Sequence, residues 1–411
     1  MSVQSTGASG APSAVRPAWL MLAALCSAFM LSQAYRTAAA MMAGRMQAEF
    51  SLSPQQLGSY AGAFHFAFGA MQLFVGLSID LHGVRRTMLA TFPLAVLGAV
   101  LSALSHSYTL VVLGQVLIGV GCSAAFLVCT VFITRYFAPE RFASVSGIVL
   151  GIGGGGMLLT ATPLAWVVQE MSWRAGFLVL AALSALAWLL IFIVVREAPL
   201  DQPRQRESLG AAVHGMARLM TLPYTLGIMA LGAVTYAAFM ALRGLWLGPL
   251  LVERYGYTLV ESGNVALLVS VVSIMGPPLF GRFGPQGKGR RRWIVGCTFA
   301  LIGLFVAMAL APNAGAVLAC SLLVGFLSGF IVLQYADVRA SYPIALTGRA
   351  MSLLNMAMFL GVALVQWLSG AVASLAGAWH ADTYSAALGL IAATLLVGVI
   401  AFITLPAPEQ G

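Results

Sequence analysis

Apolar residues in this chain come in long runs, and that feature restricts the fold more than any other. The runs fall near residues 18–43, 55–79, 87–105, 109–134, 143–168 and 175–195. After a polar interval they resume near 223–251, 260–281, 293–311, 315–336, 350–375 and 384–405. A bilayer crossing takes roughly 20 apolar residues, so the pattern predicts twelve spans. In lipid a span must satisfy its own backbone hydrogen bonds, so each is expected to be a helix. Composition agrees, since 60% of the 411 residues are hydrophobic and only 8% are charged. Soluble domains carry about 25% charged residues, and one this apolar would expose patches that aggregate.

The formal charge is +9, and Lys288 is the single lysine. A basic balance can signal nucleic acid, but these charges sit in short loops between apolar runs, so a nucleic-acid partner is not expected. With both termini cytoplasmic, the inside loops hold most of the basic residues, among them Arg85, Arg86, Arg135, Arg141, Arg196, Arg290, Arg291, Arg339 and Arg349. The outside loops hold Arg45, Arg174 and Arg254. That asymmetry fits the positive-inside rule.

The chain divides accordingly into a disordered cytoplasmic segment (1–17), a six-helix bundle (18–196), a cytoplasmic linker (197–222), a second six-helix bundle (223–405) and a short tail (406–411). Residues Leu209 to Leu219 of the linker can form a helix on the membrane surface. No cleavable signal is apparent, because the first apolar run is too long for a signal core. A shift of about 207 positions sets Arg36 on Arg243 and Gly119 near Gly325, and Glu140-Arg141 lands near Thr347-Gly348-Arg349, as in carriers built from parallel repeats. Ser53-Pro54-Gln55-Gln56 carries a helix-start signature.

Cys26, Cys122, Cys129, Cys297 and Cys320 all lie in apolar stretches without ligand spacing. They read as small buried hydrophobes, with no disulfide framework and no metal site. No cofactor is expected. Gly151, Gly153 and Gly156 formally match a dinucleotide fingerprint, but no strand precedes them, and close helix packing is the better account.

The loop after the second run reads Gly76-Leu77-Ser78-Ile79-Asp80-Leu81-His82-Gly83-Val84-Arg85-Arg86. Here the chain resembles the major facilitator superfamily, through this motif and through run count, linker position and repeat. The resemblance implies alternating access, a monomer and a central site. Gly76 permits close helix contact, Asp80 can cap a helix N-terminus or pair with an arginine, and Arg85 and Arg86 hold the loop inside. With Gly83 and the Glu140-Arg141 pair these residues form a candidate conformational latch. A bare topology signal is the other reading. Leu81 stands where the family motif has an arginine, Gln115 where many proton-coupled members have one, and the fifth run lacks the Gly-Pro pair of drug–proton antiporters.

Arg36 and Arg243 are the foremost site candidates. A guanidinium in mid-span costs about 2.5–3.5 kcal/mol on insertion scales, and no Asp or Glu lies deep in any run to compensate. An unpaired arginine facing a cavity suits a carboxylate or phosphate. Arg36 is similarly placed to the helix-1 arginine of organophosphate antiporters and of anion symporters in the superfamily. Trp246 and Pro249 put the Arg243 match off by a residue or two. The other reading has both arginines snorkelling to water at the outer helix ends. Tyr35, Tyr236, Trp246 and Gln115 are candidate cavity residues beside them. His65, with Gln72 on its face, is a candidate proton carrier, or a satisfied structural histidine packed on the eleventh run.

These residues predict a secondary transporter of a small organic anion in the plasma membrane, the inner membrane for a bacterium, with one coupled proton as an option. No enzymatic constellation is present. The competing expectation is a drug or siderophore-like amphiphile exporter with an aromatic cavity. Phe64, Phe66 and Phe68 would suit that cavity or contact lipid equally.

Overall fold

The computed structural model describes residues 15–197, 209–285 and 287–406. The expected N-terminal segment, much of the linker and most of the tail lie outside them, as do the side chains of Asp80 and Lys288. The regular structure of the described residues is all helix, and eleven helices are long and apolar enough to cross a membrane.

The first half comprises α1 (Val15–Phe50), α2 (Pro54–Thr91), α3 (Pro93–Leu104), α4 (Tyr108–Cys122), α5 (Ala125–Tyr136), α6 (Phe142–Leu159), α7 (Thr162–Glu170) and α8 (Trp173–Val194). Then come α9 (Leu209–Met220), α10 (Pro223–Ala241), α11 (Leu247–Pro249), α12 (Leu259–Phe283), α13 (Lys288–Ala309), α14 (Ala314–Leu327), α15 (Ile331–Ser341), α16 (Ile344–Ala378) and α17 (Thr383–Thr404). The expected second run is the first part of α2. That helix is interrupted at Gly83, whose φ of 81° belongs to the left-handed region open to glycine.

Short loops send successive spans in opposite directions, so the bundle has two distinct ends. One carries Arg85, Arg135, Arg141 and Arg290 and is the basic end. At the other, sparse in charge, Glu49 pairs with Arg174 at 2.6 Å and Arg254 with Asp382 at 3.0 Å. Side-chain caps gather at the sparse end: Ser53, Ser172, Thr258, Asn313 and Asp382 each accept a backbone N–H of the helix they open. Ser53 with Gln56 and Thr258 with Glu261 close full capping boxes.

Glycine sets how near the helices come. In α6, Gly153 lies against the Phe29 ring and Gly156 against the α1 backbone at Met30, so an added Cβ would collide at both. Along the seam between the halves, Gly58, Gly62 and Gly69 of α2 pack on Gln366, Ala363 and Phe359 of α16. Gln55 N donates to Ser374 Oγ at 2.9 Å at the sparse end of this seam. A second seam joins α7 to α12, where Thr162 Oγ1 donates to Asn264 Oδ1 at 2.7 Å. Both seams run from the sparse end to mid-bundle. Toward the basic end, a Cβ added at Gly76, Gly147 or Gly151 would meet no atom within 4 Å. Gly76 is therefore not a packing glycine in this conformation.

Candidate functional site

Arg36 sits midway along α1 with 7% of its surface exposed, so it does not snorkel to water here. Its guanidinium carbon lies 4.7 Å from the centroids of two rings, Phe68 of α2 and Phe359 of α16. Its Nη1 donates to Tyr236 Oη of α10 at 3.2 Å. One ring comes from each half, so the arginine spans the seam. Buried cation–π contacts reach about 2 kcal/mol each, and a hydrogen bond from a charged donor contributes about 1.5–3 kcal/mol. Together these offset the insertion cost without a carboxylate.

Arg243 is fully buried and also does not reach water. Its Nε donates to Ser270 Oγ of α12 at 3.0 Å, and its Nη2 donates across the seam to the Met157 carbonyl of α6 at 3.0 Å. It lies in a π-helical turn, Leu242–Trp246, and a second such turn follows at Leu250–Arg254. A π turn takes up extra chain relative to an α-helix. That accounts for the register slip at Trp246 and Pro249.

Among the described residues Arg36 Nε and Arg243 Nη1 have no hydrogen-bond partner, and His65 Nε2 and the two amide atoms of Gln366, which lie beside each other, have none in good geometry. Leaving such a group unpaired costs about 1–3 kcal/mol, so a concentration of them at mid-bundle points to a ligand or ordered water. His65 Nδ1 contacts the Ala61 carbonyl at 3.1 Å, and its ring stacks on Phe359. The histidine packs on α16 and shares that ring with Arg36.

The remaining expected residues are scattered. Tyr35 turns away from the seam to Ser184 of α8, at 3.0 Å. Gln115 donates to Tyr60 Oη at 3.2 Å. Trp246 Nε1 donates to Ser369 Oγ at 2.9 Å, toward the sparse end. Gln72 reaches the carbonyls of Phe68 and Ser123. Phe64 and Phe68 are buried while Phe66 is 61% exposed, so the aromatic run of α2 is divided between core and lipid face.

At the basic end, Glu140 and Arg141 are exposed in a short 3-10 turn. The described carboxylate that organises the Gly83 loop is Glu197. It accepts from the backbone N–H of Arg85 at 3.0 Å and from Arg135 Nη1 at 2.5 Å, and so caps the helix restarting after Gly83. Arg85 itself donates to the Phe192 carbonyl at 3.0 Å. Sequence reasoning missed Glu197 because it lies where the last apolar run gives way to the linker. It missed Phe359 because nothing separates that residue from its apolar neighbours in the run.

A polytopic bundle whose halves meet at buried, carboxylate-free arginines is the architecture of a membrane carrier. The chain matches the model of the Major Facilitator Superfamily over residues 24–336 and belongs to that family. It is thus a multi-pass membrane transporter. The hexuronate transporter of Escherichia coli strain K12 is 25% identical over 394 residues, covering 87% of this chain and 88% of that one. The probable sulfoacetate transporter SauU of Cupriavidus necator is 24% identical over 173 residues, covering 42% of this chain and 40% of that one. A solved bacterial homolog of the human lysosomal transporter Spinster superposes with a TM-score of 0.72 at 17% identity, covering 96% of both chains. At that identity the superposition speaks for the fold alone.

Proposed function

We propose that this chain is a secondary transporter that moves a small organic anion by alternating access, with Arg36 as the principal anion ligand. The observation that carries the reading is the buried Arg36 guanidinium, held by rings from both halves with no carboxylate among the described residues to neutralise it. A carboxylate entering from the basic end replaces the weak ring contacts with charge-assisted hydrogen bonds. Because Phe359 belongs to one half and Arg36 to the other, anion binding and movement at the seam are coupled. Relatives named for hexuronate and sulfoacetate, both organic anions, support the substrate class.

Under this reading twelve spans form two six-helix bundles, 18–196 and 223–405, with α2 up to Gly83 as the span beyond the eleven. The basic end faces the cytoplasm of a bacterial cell by the positive-inside rule. Arg243 ties the seam through Met157 and Ser270, and its spare Nη1 serves the site in a second place. A coupled proton, where transport uses one, is assigned to His65. The working unit is a monomer.

The test is the melting temperature of the purified protein against hexuronates, short carboxylates, sulfonates, phosphate esters, neutral sugars and lipophilic cations. A ligand that binds only the folded state raises it by mass action. Stabilisation by a carboxylate or sulfonate, absent in Arg36→Ala, is expected. Stabilisation by cationic amphiphiles, unchanged in that variant, would overturn the reading in favour of an exporter.

A further inference from the structure

A cleft of about 500 Å³ opens at the basic end of the second half, walled by Gly281, Gly284, Arg290, Ala336 and Arg339. Among the described residues its charge is unbalanced. Asp337, 2% exposed, stands behind it and is shared by two arginines, Arg290 Nε at 3.4 Å and Arg291 Nε at 3.1 Å. Arg291 is further held over the Phe402 ring, 4.5 Å from its centroid. Arg290 is only 9% exposed, and its contacts to Asp337, through Nε and Nη2, are both long at 3.4 Å. Arg339 is exposed on the cleft wall with no partner among the described residues. Two guanidiniums thus share one carboxylate, and a third stands on the cleft wall without one.

The equivalent end of the first half is arranged otherwise. There Glu197 answers Arg135 and the Arg85 backbone, and Arg85 lies over the Phe192 ring with Nη2 on the Phe192 carbonyl and Nε without a partner among the described residues. A topology signal requires arginines in short loops. It requires neither a nine-tenths buried arginine nor a cleft alongside it.

We propose that this cleft is a second anion site, which takes a phosphate or carboxylate group between Arg290 and Arg339. The group arrives on an acidic phospholipid headgroup or on a soluble anion, since both present the oxygens that a guanidinium fork accepts. Once bound, it neutralises the surplus charge and ties together the ends of α12, α13 and α15. This site does not depend on the central reading.

The experiment uses the full chain and two probes. Melting is followed in nanodiscs of phosphatidylcholine with increasing phosphatidylglycerol, and in detergent with increasing glycerol 3-phosphate. Wild type, Arg339→Gln, Arg339→Lys and Arg36→Ala are compared; Arg339 is exposed and unpaired, so its replacement leaves the fold intact. Saturable stabilisation of the wild type is expected, with half-saturation shifted about tenfold in Arg339→Gln, the loss of one charge-assisted contact. It should be only partly restored in Arg339→Lys, which keeps the charge without the planar fork, and unchanged in Arg36→Ala. A response to lipid alone identifies a headgroup, and a response to both probes shows that a soluble group suffices. No stabilisation by either probe, or the same response in Arg339→Gln as in wild type, overturns the proposal. So does a response lost in Arg36→Ala but kept in Arg339→Gln, which would place the anion at the central arginine.

Discussion

Arg36 and Arg243 are both buried arginines of helical spans, one in each half of the chain, yet their surroundings differ in kind. Arg36 is held by soft, replaceable contacts: two ring faces and one phenol. Arg243 is bound by a serine hydroxyl and a backbone carbonyl, and the carbonyl cannot move without moving α6. The first arrangement can exchange partners for a ligand at small cost. The second fixes one helix to another. Equal charge at equal depth therefore does not imply equal role, and what decides is whether the neighbours can let go.

The largest effect that tests this contrast is expected from Arg36→Ala. Uptake into proteoliposomes should fall by about a hundredfold or more, the loss of a bidentate charge-assisted contact. Its melting temperature should change little, because the ring and phenol contacts that are lost roughly offset the desolvation of the charge that is removed. Arg36→Lys should recover little, since an ammonium has no planar fork. For Arg243→Ala the pattern reverses: stability drops by about 2–4 kcal/mol as two charged hydrogen bonds disappear, while anion affinity in the folded fraction changes by only a few-fold. Should Arg243→Ala abolish binding in a stable protein, the contrast collapses and both arginines are ligands.

Smaller effects refine the picture around Phe359. His65→Gln should flatten the pH profile of uptake and leave substrate exchange at fixed pH within a few-fold of wild type; a profile that keeps its shape would remove His65 from proton transfer. Tyr236→Phe takes one hydrogen bond from Arg36 and should weaken anion binding about fivefold, read by the ligand concentration at half-maximal stabilisation. If affinity instead improves, the phenol competes with the substrate for the guanidinium.

Much of this was legible in the chain because lipid leaves few options. Apolar runs must be helices, Ser53 and Gln56 must sit at a helix start, and a mid-span arginine without an acid must find some other partner. Tyr236, expected beside the arginines, is one such partner of Arg36, but the rings were not legible. Phe68 and Phe359 are ordinary apolar residues in one dimension, and only tertiary packing separates Phe68 from the lipid-facing Phe66 two positions earlier. Tyr35 adjoins Arg36 in the chain, yet successive residues on a helix point about a quarter-turn apart, which sends it to Ser184. The Gly83 loop was recognised by its motif, but the described carboxylate that serves it is Glu197, more than a hundred residues away.

The glycine seam between α2 and α16 offers a handle on the molecule's resting state. Its surfaces meet backbone to backbone at Gly58 and Gly370, with no space for even a methyl group. A single Gly58→Ala or Gly370→Ala substitution would act as a wedge at the sparse end, prising apart one conformation without touching Arg36. Such a variant would hold the carrier with its other mouth open, ready for trapping by binders that recognise that face alone.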